Sequence, residues 1–126
     1  MTAEPVRLRT DATLREATGL LALADVRHLP VVDGDRVVGM VSERDVLGVL
    51  LPDNAGSPTL DSPSVREVMS EELIAVHPDA PLAEVVAKLL EHRVGAVLVL
   101  EDDRLHGIVS YIDVLEALKP FAADEP

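Results

Sequence analysis

The sequence predicts an α+β protein made of two copies of one β-α-β-β-α unit. Three observations carry that prediction. The string GMVSERD at 39–45 returns as GIVSYID at 107–113, an offset of 107 − 39 = 68 residues. Sliding the chain by this offset aligns 6–50 with 74–118 without a gap. The matches include Asp11/Asp79, Leu14/Leu82, Val31/Val99, Arg36/Arg104, Gly39/Gly107, Asp45/Asp113 and Leu50/Leu118. Within each copy the apolar spacing also changes in the same order: extended, helical, extended twice, helical again. An ungapped match of this length marks an internal duplication.

The elements follow in chain order. Val6–Leu8 and Ile74–Val76 read as short extended segments. Thr13-Leu14-Arg15-Glu16 has the Thr-x-x-Glu form of a capping box, and Leu14, Ala17, Leu21 and Ala24 continue at helical spacing. In the second copy Pro81 suits a helix start, with Leu82, Val85, Val86, Leu89 and Leu90 as the apolar stripe. Leu29–Val32 leads through Asp33-Gly34-Asp35 into Val37–Val41, and Val97–Leu100 leads through Glu101-Asp102-Asp103 into Leu105–Val109. Asp-Gly between apolar runs is a hairpin signal. Gly39 and Gly107 suggest a close backbone approach or a bulge in the second hairpin strand. Final helices are expected from about Ser42 to Leu50 and from Ser110 to Leu118.

The resulting organisation is a first repeat at 1–50, a linker at 51–64, a second repeat at 65–119 and a flexible tail at 120–126. LPDNAGSPTLDSPS at 51–64 is rich in turn-forming residues. Val65–Met69 is expected to add one helical turn ahead of the second repeat. The first repeat has no such lead-in, because Met1 stands only a few residues before Val6. A unit of about 45–50 residues is marginal alone. Packing the two hairpin faces sheet to sheet about a pseudo-twofold axis would cover both, and clefts at the seams would then come in pairs.

Composition excludes several functions. Lysine plus arginine number 11 and aspartate plus glutamate 23, so the net charge is 11 − 23 = −12. Such a chain repels nucleic-acid backbones. With one tyrosine, one phenylalanine and no tryptophan, it cannot build a platform for stacked bases. The absence of cysteine removes thiolate and disulfide chemistry and fits a reducing compartment. No apolar run approaches the roughly 20 residues needed to span a bilayer, and MTAEPVRLRT has no signal core. A cytoplasmic protein without nucleic-acid or membrane partners is expected. The histidines, His28, His77, His92 and His106, show no close metal-ligand spacing, so no metal site is expected. No nucleophile elbow and no phosphate loop is present, so no catalytic residue is assigned and the chain is not expected to be an enzyme.

Ser42 with Asp45, and Ser110 with Asp113, have two compatible readings. Serine can cap a helix whose third residue is the aspartate. The same carboxylate, accepting hydrogen bonds only, can take both hydroxyls of a ribose edge, while the helix start offers N–H groups to an anion.

The segments VRHLPVVDGDRVVGMVSERDVL (26–47) and VGAVLVLEDDRLHGIVSYIDVL (94–115), with lead-ins TDATLREA and PDAPLAEV, carry a family resemblance. The chain resembles a tandem pair of cystathionine-β-synthase (CBS) domains, the Bateman module, over roughly residues 5–119. The resemblance implies a stand-alone regulatory module with two symmetry-related clefts. These would bind AMP, ADP, ATP or S-adenosylmethionine as a regulatory ligand and not as a required cofactor. It also implies a homodimer, with output through that dimer or a partner protein. The string-ending aspartate would hold the ribose, and the serine would help hold ribose or phosphate. Each cleft would be composite. One joins Leu8, Arg9, Val26, Arg27, His28 and Pro30 to Val109, Ser110, Ile112 and Asp113. The other joins Val41, Ser42, Arg44 and Asp45 to Ile74, Ala75, His77, Val94, Gly95 and Ala96. Phosphates need cations, and Arg27-His28 stands where the other copy has Gly95-Ala96, so the Asp113 cleft is the expected phosphate site. Adenine would lie among Val26, Val109 and Ile112. Against this, Arg27 and Arg9 could simply pair with carboxylates such as Asp25 or Asp11. Leu98 in place of Pro30 and the missing lead-in also leave room for a structural module with empty clefts.

Overall fold

The computed structural model describes residues 2–3, 5–24, 26–50 and 64–122. In chain order these form β1 (Thr2–Ala3), β2 (Leu8–Arg9), α1 (Leu14–Ala24), β3 (His28–Asp33), β4 (Arg36–Ser42), α2 (Glu43–Leu50), α3 (Val65–Val68), β5 (Ala75–Val76), α4 (Leu82–His92), β6 (Ala96–Glu101), β7 (Arg104–Ser110) and α5 (Tyr111–Ala122). The α+β class and the doubled β-α-β-β-α order are as the sequence predicts. Two compact units result: Pro5–Leu73, and Ile74–Pro126 together with Met1–Glu4.

The first unit is organised by its hairpin. β3 and β4 pair antiparallel, with Leu29 opposite Val41 and Val31 opposite Gly39. β2 joins β3 in parallel, Leu8 opposite Val31. Alternate residues of β4 are buried, Val37 and Val41 among them, so its two faces differ in the way a period of two requires. Leu14 and Ala17 of α1, Val46 of α2 and Val65 of α3 close over Leu8, Leu29, Val31 and Val41. Each such aliphatic side chain contributes about 1.5–3 kcal/mol on burial.

The second unit repeats this plan. β6 and β7 pair antiparallel, Val97 opposite Val109 and Val99 opposite Gly107, and β5 joins β6 in parallel. Val85 and Leu89 of α4 and Val114 of α5 pack with Val76, Val97, Val99 and Val109. Both hairpins shift register at the same point, between Val31 and Val32 and between Val99 and Leu100. The duplication therefore preserved a bulge as well as a sequence.

By packing, one unit runs to Leu73 and the other resumes at Ile74. The Val65 N–H bonds the Ala12 carbonyl at 2.8 Å, Met40 and Ser70 exchange bonds at 2.9–3.0 Å, and the Val65 side chain is fully buried in the first core. The turn expected ahead of the second repeat thus packs with the first unit. Thr2 and Ala3 pair with Ile108 and Gly107 of β7. Thr2 stands 68 residues before Ser70, and Met40 stands 68 before Ile108, so the two contacts are equivalent and exchanged. The stripe of α4 differs from the expected one. Leu82 and Leu90 are exposed, Leu90 by 73%, because successive helical residues diverge by about 100° and Leu89 already faces the sheet. Finally, α5 continues to Ala122 with Pro120 inside it. Residues 51–63 of the expected linker and residues 123–126 lie outside the described residues.

Candidate functional site

Each repeated string ends at a strand-to-helix junction. Ser42 closes β4 and Asp45 is the third residue of α2. The Ser42 N–H donates to Asp45 Oδ2 at 2.8 Å, and the Asp45 N–H donates to Ser42 Oγ at 3.1 Å. The second unit gives the same pair: Ser110 N–H to Asp113 Oδ2 at 2.8 Å, and Asp113 N–H to Ser110 Oγ at 3.2 Å. These are reciprocal capping boxes, and they fix both carboxylates. All four side chains are half-buried. One carboxylate oxygen, Oδ1, of each aspartate remains without a partner among the described residues.

The helix start is less open to an anion than its position suggests. The Glu43 N–H donates to the Arg27 carbonyl at 2.9 Å, and the Tyr111 N–H to the Gly95 carbonyl at 3.0 Å. The Asp45 and Asp113 N–H groups are taken by the serines. Of the first three N–H groups of α2, only that of Arg44 lacks a partner among the described residues.

The structure groups the other candidates by repeat. In the first unit His28 lies opposite Ser42 in the hairpin register, Leu29 and Pro30 are buried beside it, and Arg9 ends β2. Arg27 Nε lies 4.0 Å from Glu43 Oε1, and Arg9 Nη2 lies 3.1 Å from Asp11 Oδ2. Arg9 thus lies beside Asp11 and Arg27 beside Glu43, while Asp25, the other carboxylate expected near Arg27, lies outside the described residues. Both pairs are well exposed, and such pairs contribute about 0–1 kcal/mol, so a bound anion could displace them. Val26, Arg27 and Arg44 are exposed and Val41 is buried.

His28 is biased toward its neutral form. Desolvation holds its imidazole below the ordinary range, and Arg27 adds to this, against the opposing pull of Glu43 and Asp45. Among the residues expected to meet phosphate, the charge rests on the arginines.

In the second unit Ala96 lies opposite Ser110, and Gly95 and Val94 precede it half-buried. Ile74 and Ala75 are half-buried at β5, Val109 is buried, and Ile112 is exposed on α5. His77 Nδ1 accepts the Asp79 N–H at 3.1 Å, and its Nε2 lies 3.7 Å from Glu101 Oε1. His106 Nε2 approaches the other oxygen of Glu101 at 3.4 Å. This histidine–glutamate cluster escaped sequence reading because His77 stands 24 residues before Glu101 in the chain. Among the described residues no group of three or more side chains is arranged to hold a metal ion.

The CBS domain family model matches residues 1–52 and 65–120, nearly the whole chain. This chain is a CBS-domain protein. A candidate acetoin utilization protein, AcuB, from Vibrio cholerae is 30% identical, with a TM-score of 0.81 over 100% of this chain and 94% of its own. The CBS domain pair of protein MJ0100, solved with 5-methylthioadenosine and S-adenosyl-L-methionine, has a TM-score of 0.79 at 24% identity, covering 93% of this chain and 94% of its own, a likeness of fold. An uncharacterized 33.4 kDa protein of Thermofilum pendens is 31% identical over 94% of this chain; the chain spans 42% of that relative's length. The family match counts 65–73 with the second CBS domain, whereas packing gives those residues to the first unit.

Proposed function

We propose that this CBS pair is a regulatory module that binds an adenosyl ligand, such as AMP, ADP, ATP or S-adenosylmethionine, and carries out no catalysis of its own. The observation that supports it is the pair of half-buried aspartates, Asp45 and Asp113, each held by one oxygen with the other left to accept a ribose hydroxyl. The adenosyl ligands of the MJ0100 pair, a fold neighbour, add support. Arg27, with Arg9, would meet the phosphate. The proposed ligand-binding residues are Leu8, Arg9, Val26, Arg27, His28 and Pro30 of the first unit and Val109, Ser110, Ile112 and Asp113 of the second. A second group, Val41, Ser42, Arg44, Asp45, Ile74, Ala75, His77, Val94, Gly95 and Ala96, is poorer in cation and binds more weakly.

A thermal-shift screen tests the reading. At 100 times the dissociation constant a ligand stabilises the chain by about 2.7 kcal/mol. No shift with millimolar AMP, ADP, ATP or S-adenosylmethionine would favour a structural CBS pair instead. That second reading draws on the arginines already lying beside Asp11 and Glu43.

The output is proposed to pass through a cytoplasmic homodimer or a partner protein. Leu47 of α2 and Leu115 of α5 are 60% and 58% exposed and occupy equivalent positions in the two repeats. Leu118 and Phe121 extend the apolar surface of α5. Uncovered apolar surface of this kind favours association.

A further inference from the structure

The geometry points to Met69 as a site of reversible oxidation, at which a peroxide unfastens residues 64–73 from β4. The inference does not depend on a ligand in either unit.

The chain has no cysteine and three methionines, so its readily oxidised sulfur is thioether: Met1, Met40 and Met69. Met1 lies outside the described residues. Met69 is the C-cap of α3, half-buried and packed against the first core. Its thioether lies over the buried Gly39. A Cβ added to Gly39 would meet Met69 Sδ, and Met69 Cγ at 2.8 Å. The glycine is the seat of the methionine, whose sulfur fills the volume that a side chain at 39 would take. The next residue holds the strand. The Ser70 N–H donates to the Met40 carbonyl at 2.9 Å, and the Met40 N–H donates to the Ser70 carbonyl at 3.0 Å. With the bond from the Val65 N–H to the Ala12 carbonyl, these fasten residues 64–73 to the first unit.

Oxidation acts on this seat directly. The sulfur gives an electron pair to one oxygen of hydrogen peroxide, the O–O bond breaks, and the other oxygen takes up the proton and leaves as water. Thioether and peroxide become sulfoxide and water, an exchange of two electrons, and an apolar group becomes polar. The new oxygen is an acceptor that needs a donor. The N–H groups of Met40 and Ser70 already serve each other's carbonyls, and that of Met69 serves the Val65 carbonyl at 2.8 Å. A sulfoxide kept over Gly39 therefore takes a donor from this exchange or stays unpaired, and both are costly. Ser70 is exposed, so a sulfoxide that leaves the seat reaches water, and it draws the Ser70 bonds off β4 as it goes.

Limited treatment of the full chain with hydrogen peroxide, read by peptide mass spectrometry and hydrogen exchange, tests the proposal. Met69 should gain one oxygen. Exchange at Met40 and Ser70 should then accelerate by roughly tenfold or more. Tyr111 of the other unit, whose N–H is held by the Gly95 carbonyl at 3.0 Å, should keep its rate. Methionine sulfoxide reductases of both epimer specificities should restore the protection. Met69→Leu nearly keeps the side-chain volume, and peroxide should leave its protection at Met40 unchanged. Met40→Leu should respond at Ser70 as the unaltered chain does. Melting curves before treatment establish that both variants are folded. Four results would each overturn the proposal: a Met69 that stays unreacted where free methionine is oxidised, protection kept with the sulfoxide in place, acceleration at Tyr111 equal to that at Met40, or no recovery with the reductases. All four are read on the unaltered chain, so they decide the matter even where a variant does not fold. A folded Met69→Leu chain that responds to peroxide like its parent would overturn it as well.

Discussion

At the scale of single residues, the aspartates and His28 carry separable predictions. Asp113→Ala should weaken an adenosyl ligand by about 1.5–3 kcal/mol, the range for a hydrogen bond to a charged group. The same variant also loses a cap, so affinity must be read beside melting temperature. Asp113→Asn keeps the side-chain shape and separates the two effects. Arg27→Ala should weaken AMP more than adenosine, and a double-mutant cycle with Asp113→Ala on AMP tests whether both act on one ligand. His28 predicts a pH dependence of the opposite kind to a paired imidazole. Its folded pKa is depressed by burial, so the unfolded chain takes up the proton first. Stability from this residue is fully present above the unfolded value, about 6.5, and declines as pH falls below it. Urea unfolding at pH 7.5 and at 5.5 should show a smaller loss for His28→Asn than for the unaltered chain. An equal loss in both would remove His28 from the account. Gly39 is fixed by contact: an added Cβ would come within 2.8 Å of Met69 Cγ and 3.0 Å of the Ser70 carbonyl oxygen. Gly39→Ala should cost about 1–3 kcal/mol, as overpacking does, measured by chemical denaturation.

At the scale of elements, the exchanged lead-ins matter most. Thr2–Ala3 extends β7 of the second unit, and Ser70 bridges to Met40 of the first. Each repeat's sheet is therefore finished by a segment that precedes the other repeat's conserved plan in the chain. Deleting residues 1–4 should unpair the β7 edge. Hydrogen exchange at Ile108 should accelerate, while Met40, whose N–H is held by the Ser70 carbonyl at 3.0 Å, keeps its protection. Uniform loss of protection in both units would show that the lead-in acts globally. The hairpin turns also differ between repeats. Asp102 and Asp103 are both left-handed, at φ 54° and 65°, whereas in the first turn Gly34 takes φ 62°. Aspartate tolerates that region better than most residues, and still at a cost that glycine avoids.

At the scale of the whole molecule, net charge and exposed apolar surface oppose each other. A charge of −12 keeps copies apart at low ionic strength, and salt screens it beyond about 8 Å. Apolar faces on α2 and α5 favour association. If these faces join two copies, Leu115→Glu should shift sedimentation toward monomer and leave the circular dichroism spectrum unchanged. The unaltered chain should associate more tightly as salt is raised. A Leu115→Glu chain that sediments like its parent would exclude this face from the interface.

The sequence by itself determined the repeat, the element types and the capping pairs, because all three are local: an offset of 68, periods of two and 3.6, and a serine three residues from an aspartate. It also marked Pro30 against Leu98 as a difference between copies. The tertiary structure alone decided which unit each lead-in completes, since Val65 finds its partner in Ala12 across more than fifty residues. It decided that Leu90 faces outward, that α5 runs through Pro120, that His28 is desolvated and that Arg27 lies beside Glu43. Burial, cross-strand register and long-range hydrogen bonds arise between residues distant in the chain. A one-dimensional pattern states which residues are able to form them, and only folding selects which ones do.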